Sequence, residues 1–221
     1  ASDVYKRQEE LNVLVIERSD RGLGLAPTHF DQDIKDWVNM FQGAGIITEA
    51  RQDYASMKWS KALLNMVANA TSAILDMTPG ELYRDNQSYD LEVRMLREVL
   101  AVMAKKQLQV VDLPGPSART FALAIKLMPR VLLKPILTSI VAKGRGDKMP
   151  SFHIDLTSGR GKSEVVFHNG AVAAAGKDMG VKTPVNLVLN DVLLRLTRGE
   201  LDRALFARKP DRLLALVNEA N

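Results

Sequence analysis

The sequence predicts a mainly α-helical domain preceded by a small α/β segment. Three observations carry this. Apolar residues recur at helical spacing from about residue 54 to the end. The first fifty residues instead read strand, helix, strand. The composition, 46% hydrophobic and 25% charged over 221 residues, is that of a globular protein able to bury a core.

The elements follow in order. Asn12-Val-Leu-Val-Ile-Glu17 is an apolar run of strand length, closed by the turn-like Asp20-Arg-Gly-Leu-Gly24. Phe30 to Gln42 has helical spacing, with Ile34, Trp37, Val38 and Phe41 on one face, and Ile46-Ile47-Thr48 reads as a second strand. Residues 1–52 are therefore assigned to the α/β segment and 53–221 to the helical domain. Tyr54 to Leu75 predicts one long helix, stopped by Thr78-Pro79-Gly80. Leu91 to Gln107 is a second, with Val93, Leu96, Val99, Leu100 and Met103 at core spacing. Ser117 to Ala142 is a third, kinked or broken at Pro129 and Pro135. A basic loop from Lys143 to Met149 and a polar stretch from Pro150 to Lys162 follow. Ser163 caps a fourth helix reaching Met179, and Pro184 opens a fifth. Leu201 to Phe206 and Asp211 to Val217 close the chain as short helices.

Composition narrows the function. The longest apolar run, Val131 to Ala142, is interrupted by Lys134 and Pro135, so no membrane helix is expected. Ala1 to Gln8 has no secretory pattern, and without an initiator Met the chain is expected to begin partway through a longer protein. Cysteine is absent, which removes disulfides and thiol catalysis and fits a cytoplasmic setting. His29, His153 and His168 show no ligand spacing, so no metal is expected. The net charge is +4, but the basic residues are spread among acidic ones and aromatics are only 5%. Nucleic acid is not an expected partner; an anionic small molecule or a merely basic surface fits better.

Three segments can carry chemistry. Lys61, Asn65 and Asn69 stand at i, i+4 and i+8, forming a polar stripe about 80° wide on one helix. Trp59, Leu63, Met66, Val67, Ala70 and Ile74 fall opposite. A solvated face explains the stripe, yet two asparagines are poor helix formers for that role. One ammonium and two amides could instead bind an anionic, carbonyl-bearing ligand. The second segment runs from Ser151-Phe-His-Ile-Asp155 through Gly159-Arg160 to Glu164 and Asn169-Gly170. By itself it reads as a surface loop entering a capped helix. The third, Gly180-Val-Lys-Thr183-Pro184-Val-Asn186, reads by itself as a helix stop, a turn and a helix start.

Taken together in this order, the segments resemble the C-terminal domain of the ketopantoate reductase (2-dehydropantoate 2-reductase) family. Trp59, Lys61, Asn65 and Asn69 match its W-x-K-x-x-x-N-x-x-x-N helix. Ser151, Asp155, Gly159-Arg160, Glu164 and Asn169-Gly170 follow its second pattern, and Gly180, Thr183, Pro184 and Asn186 its G-x-x-T-P-x-N element. The match covers roughly residues 45 to 197. It departs in one extra residue before Glu164, in Val166 where the family has Asp, and in Phe152 in place of Met. The resemblance implies a 6-phosphogluconate dehydrogenase C-terminal-like helical fold and NADPH-dependent reduction of ketopantoate to pantoate. Lys61 would be the general acid and Glu164 its acidic partner. Asn65, Asn69 and Ser151 would orient substrate, with Asp155 a weaker candidate. The family's G-x-G-x-x-G turn is absent, since Gly22-Leu-Gly24 is followed by Ala-Pro. NADPH would thus be held mainly by residues outside this chain. The implied partner is a small keto acid, with a homodimer left open. Two alternatives stand beside this: a related 2-keto or 3-hydroxy acid reductase, and a non-catalytic helical interaction module.

Overall fold

Strand, helix and strand do follow one another in the first fifty residues. The computed structural model describes residues 6–10, 13–16, 22–29, 31–145, 148–159 and 161–220, so Arg160 of the Gly-Arg pair lies outside the described residues. The chain divides into two compact units, 1–61 with 108–121 and 62–107 with 122–221.

In the first unit, β1 (Lys6–Glu10) and β2 (Val13–Ile16) form an antiparallel pair. β3 (Leu23–Leu25) and β4 (Thr48–Ala50) pair in parallel, with Leu23 opposite Thr48. Parallel strands need a crossover, and α1 (Lys35–Gly43) supplies it. The helix expected from Phe30 begins only at Lys35. Of its expected apolar face, Ile34, Val38 and Phe41 are half-buried while Trp37 is 57% exposed. Gly22 permits a close approach, because a Cβ there would lie 2.2 Å from the Ile47 carbonyl oxygen that accepts the Leu23 N–H.

Asp53 starts α2 (Tyr54–Met66) by accepting from the Ser56 N–H and hydroxyl. The Ser56 hydroxyl, above all, holds the Asp53 carboxyl below its ordinary range. Ser56 and Ser60 are fully buried, and each hydroxyl accepts from an extended segment: Gln109 N–H at 2.8 Å and Val111 N–H at 2.9 Å. Two serines on a helix thus satisfy backbone donors that a strand would otherwise serve.

The second unit is helical: α3 (Asn69–Leu75), α4 (Pro79–Arg84), α5 (Asn86–Lys105), α6 (Ala118–Leu127, shared with the first unit), α7 (Arg130–Arg145), α8 (Ser151–Thr157), α9 (Asn169–Met179), α10 (Pro184–Thr197) and α11 (Pro210–Glu219). Short 3₁₀ turns cover Glu164–Phe167 and Arg203–Leu205. The mainly α prediction with a small sheet-bearing appendage holds. On α5, Val93, Leu96, Val99, Leu100 and Met103 are all buried as their spacing predicts. No helix among the described residues is long and apolar enough to cross a membrane.

Several boundaries differ from expectation, each for a local reason. The predicted helix from Tyr54 to Leu75 is broken: Ala68 takes the left-handed conformation (φ 55°) and α3 starts afresh at Asn69. Thr78 caps α4 in a reciprocal box with Glu81, turning an expected stop into a helix. Asp85 then caps α5 at Asn86, five residues before its apolar run begins. The third predicted helix splits ahead of Pro129, whereas Pro135 sits inside α7. The polar stretch after Pro150 contains α8. Ser163 caps a single 3₁₀ turn rather than the fourth helix, which begins at Asn169.

The packing of α9 gives a direct test. A Cβ on Gly176 would lie 2.8 Å from Thr183 Cγ2, Thr183 Oγ1 and the Val181 carbonyl oxygen. Backbone cannot yield cheaply there. Gly176→Ala is expected to lower unfolding free energy by about 1–3 kcal/mol in urea titrations; an unchanged midpoint would refute the close packing.

Candidate functional site

Asn65 lies in the last turn of α2 and is half-buried; Asn69 opens α3 and is 6% exposed. The break at Ala68 places the Asn69 carboxamide against the start of α8. Its Oδ1 accepts the Phe152 N–H at 3.1 Å, and its Nδ2 donates to Ser151 Oγ at 3.5 Å and to the Asn65 carbonyl at 3.3 Å. Asn69 and Ser151, 82 residues apart, are thereby brought together. Both ends of the amide are used within the protein, while the Ser151 residue is exposed. Asp155 stands one turn further along α8 and is half-buried.

A ring contact joins α8 to the turn carrying Glu164. Phe152 and His168 meet edge to face, with centroids 5.4 Å apart. Glu164 opens the 3₁₀ turn, exposed, with Val165 buried behind it. His153 on α8 is held by Asp76 Oδ1 at 2.7 Å, and Arg203 reaches the same oxygen at 3.5 Å.

The third segment joins through a buried polar knot that the residue pattern alone does not reveal. Asn169 Nδ2 donates to Asn186 Oδ1 at 3.0 Å. Asn186 Nδ2 donates to Glu98 at 2.8 Å and to the Met95 carbonyl at 3.1 Å. The Glu98 carboxylate also accepts the Val185 and Asn186 N–H groups at 3.0 and 2.9 Å. Thr183 makes no side-chain cap, so a carboxylate from α5 caps α10 in its place.

Burial raises the Glu98 pKa above its ordinary value; the bonds from Asn186 and Val185 oppose this without cancelling it. The folded chain therefore holds that proton more tightly than the unfolded one. Its contribution to stability is complete below the ordinary value of 4.5 and is lost as pH rises through the folded value. Glu98→Gln is expected to flatten the fall in urea midpoint that the parent chain shows above about pH 4.5. Parallel pH curves for the two chains would overturn the assignment.

Lys61 is half-buried on α2, one turn before Asn65 and in the first unit. A separate cavity of about 410 Å³ is lined by residues of α5, α7 and α11, among them Arg94, Arg97 and Arg130, and includes none of the predicted site residues. The Gly22-Leu-Gly24 segment, expected as part of a turn, instead enters strand β3 and does not fit a dinucleotide. Gly22 serves the strand approach to Ile47, and a Cβ on Gly24 would meet Leu113 and Met57 at 3.1 and 3.2 Å. Among the described residues, no helix begins between β3 and Lys35.

Residues 53–196 match the family model described as "Ketopantoate reductase PanE/ApbA C terminal". The chain belongs to the ketopantoate reductase family. Its similarity to individual ketopantoate reductases is modest. A 2-dehydropantoate 2-reductase of Streptococcus pyogenes serotype M1 is 27% identical over 61% of this chain and 38% of its own length. That of Pyrobaculum aerophilum is 24% identical over 77% of this chain and 53% of its own. The chain thus spans about half or less of these curated relatives. Among solved structures, a PanE/ApbA family ketopantoate reductase from Ralstonia eutropha JMP134 superposes with a TM-score of 0.64 at 22% identity, covering 89% of this chain and 57% of that one. D-mandelate dehydrogenase in complex with NADH gives 0.61 at 19%, covering 81% and 55%. At these identities the structural likeness shows the fold.

Proposed function

We propose that residues 53–221 form the substrate-binding, proton-donating domain of an NADPH-dependent reductase that converts 2-dehydropantoate to pantoate in pantothenate biosynthesis. Residues 1–52 are read as the end of its dinucleotide-binding domain. The observation that carries this is the linkage among the motif segments. Asn69 meets Ser151, Phe152 meets His168 beside Glu164, and Asn169 meets Asn186. Two of these contacts, Asn69 with Ser151 and Asn169 with Asn186, join residues of separate motif segments, and the Phe152–His168 contact brings α8 against the turn that follows Glu164; this linkage supports the reading.

In this reading the nicotinamide coenzyme supplies hydride to the ketone carbon and is held outside the residues of this chain. The Lys61 ammonium gives a proton to the developing alkoxide. Glu164 holds the substrate hydroxyl, and Asn65 and Ser151 orient the carboxylate and carbonyl, with Asn69 keeping Ser151 in place. Asp155, on the same helix as Ser151, is the outermost candidate. The expected setting is the cytoplasm.

A related 2-oxo acid reductase is the second reading, favoured by Val166 at the position of the family's Asp and by the extra residue before Glu164. The deciding experiment follows NADPH oxidation by the chain joined to an upstream dinucleotide-binding domain. Turnover with 2-dehydropantoate supports the first reading, and preference for phenylglyoxylate supports the second. No turnover with either would leave a non-catalytic helical module. A homodimer is also proposed: a Staphylococcus aureus ketopantoate reductase with a TM-score of 0.62 is described as dimeric. Sedimentation equilibrium tests it, and a monomer mass would remove it.

A further inference from the structure

Glu92 is wholly buried, yet none of the roles above uses it. It lies on α5 between Leu91 and Val93, both packed in the core, so its backbone is as fixed as the core itself. One carboxylate oxygen, Oε2, accepts the Ala68 N–H at 2.7 Å and the Tyr83 hydroxyl at 3.3 Å. The other, Oε1, accepts the Thr71 hydroxyl at 2.5 Å. Ala68 precedes Asn69 and Thr71 follows it by two residues, so the carboxylate grips the chain on both sides of Asn69.

The break it grips is costly. Ala68 is left-handed, which disfavours a residue with a Cβ by about 1–2 kcal/mol. Ala68, at the N-cap of α3, offers no side-chain cap of its own. Desolvating a carboxylate is also unfavourable unless its oxygens are bonded. These costs meet at one point, and what they hold there is the Asn69 carboxamide, whose two ends reach Phe152 N–H and Ser151 Oγ. In an unbroken helix Asn69 would simply continue the α2 stripe.

We infer that Glu92 is a positioning residue: its buried carboxylate fixes the break at Ala68 and thereby aims the Asn69 carboxamide at the first turn of α8, where Ser151 stands. The geometric part is independent of the proposed reaction; the consequence for substrate binding rests on that reading.

The test separates the two. Glu92→Gln keeps the shape and can accept the Ala68 N–H while donating to Thr71 Oγ1; Glu92→Leu can do neither. Amide hydrogen exchange on the 221-residue chain compares Phe152 with Leu189, a core residue of α10. In Glu92→Leu, exchange at Phe152 is expected to rise by about tenfold or more relative to Leu189, while Glu92→Gln restores it to within about twofold. A role limited to general stability would raise both amides together. Parallel change at both sites, no change at Phe152, or failure of Gln to restore protection would overturn the inference. If Glu92→Leu does not fold, Glu92→Asp, one methylene too short to hold Ala68 and Thr71 at once, decides the same comparison.

Calorimetric titration with 2-dehydropantoate, on the chain joined to an upstream dinucleotide-binding domain with NADPH present, forms the second arm. Its Kd is expected to rise about tenfold in Glu92→Leu and to recover in Glu92→Gln. An unchanged Kd alongside lost Phe152 protection would overturn the link to substrate. If the joined parent chain takes up no 2-dehydropantoate with NADPH present, the proposed substrate fails, and hydrogen exchange on the 221-residue chain still decides the positioning role.

Discussion

Replacing Asn186 by leucine is expected to cost about 3–5 kcal/mol of unfolding free energy, the largest effect on stability of any single change considered. Leucine is close to asparagine in shape, so overpacking contributes little. The loss is polar. Asn186 is wholly buried, and its carboxamide joins three elements: Glu98 and the Met95 carbonyl on α5, and Asn169 at the start of α9. Leucine leaves the Asn169 amide and the Met95 carbonyl without that partner, each worth about 1–3 kcal/mol when orphaned in the interior. It also strips one donor from a carboxylate that burial already disfavours. Urea denaturation followed by circular dichroism reads the cost, with the slope unchanged if only the native state is affected. A loss below about 1 kcal/mol would show that the knot is not a stabilising network. Adding Glu98→Leu to Asn186→Leu should cost less than the sum of the two, because the pair acts as one unit.

Much of the helical body was legible because apolar spacing is a local signal. Val93, Leu96, Val99, Leu100 and Met103 announce α5, and they are buried. The break at Ala68 was not legible, since the carboxylate that secures it arrives from Glu92, 24 residues later. The cap of α10 likewise comes from Glu98, 87 residues before Val185. A signal for both did exist. Glu92 and Glu98 fall within the apolar stretch of α5, where a charge must find partners across the fold. The opposite error occurred in α1, where Trp37 of the expected apolar face is exposed and Ile34, Val38 and Phe41 are only half-buried. Periodicity identifies a face without saying what covers it. Of the candidate site, the family resemblance names Asn69 and Ser151 as residues of one site, but the hydrogen bond between them is written in neither motif. The internal use of both ends of the Asn69 amide is a tertiary fact, visible only once α8 is placed.

In a chain completed by an upstream dinucleotide-binding domain, Lys61→Ala is expected to lower kcat for 2-dehydropantoate by ~10²–10³-fold, the usual range for losing one donor to a developing oxyanion. The reason lies in when the interaction forms. The substrate ketone is neutral and its oxygen gains charge only as hydride arrives, so an ammonium aimed there interacts far more strongly with the transition state than with bound substrate. The Kd for NADPH should therefore change little, and kcat should fall more than KM rises. Lys61→Arg should recover little, because a guanidinium keeps the charge but does not give up its proton at neutral pH. Glu164→Gln should behave differently and raise KM as well as lower kcat, since a carboxylate holding the substrate hydroxyl already contributes in the ground state. Steady-state NADPH oxidation across the three variants distinguishes these roles. If Lys61→Ala raises KM alone and leaves kcat intact, Lys61 binds substrate uniformly, and the proton must come from another group.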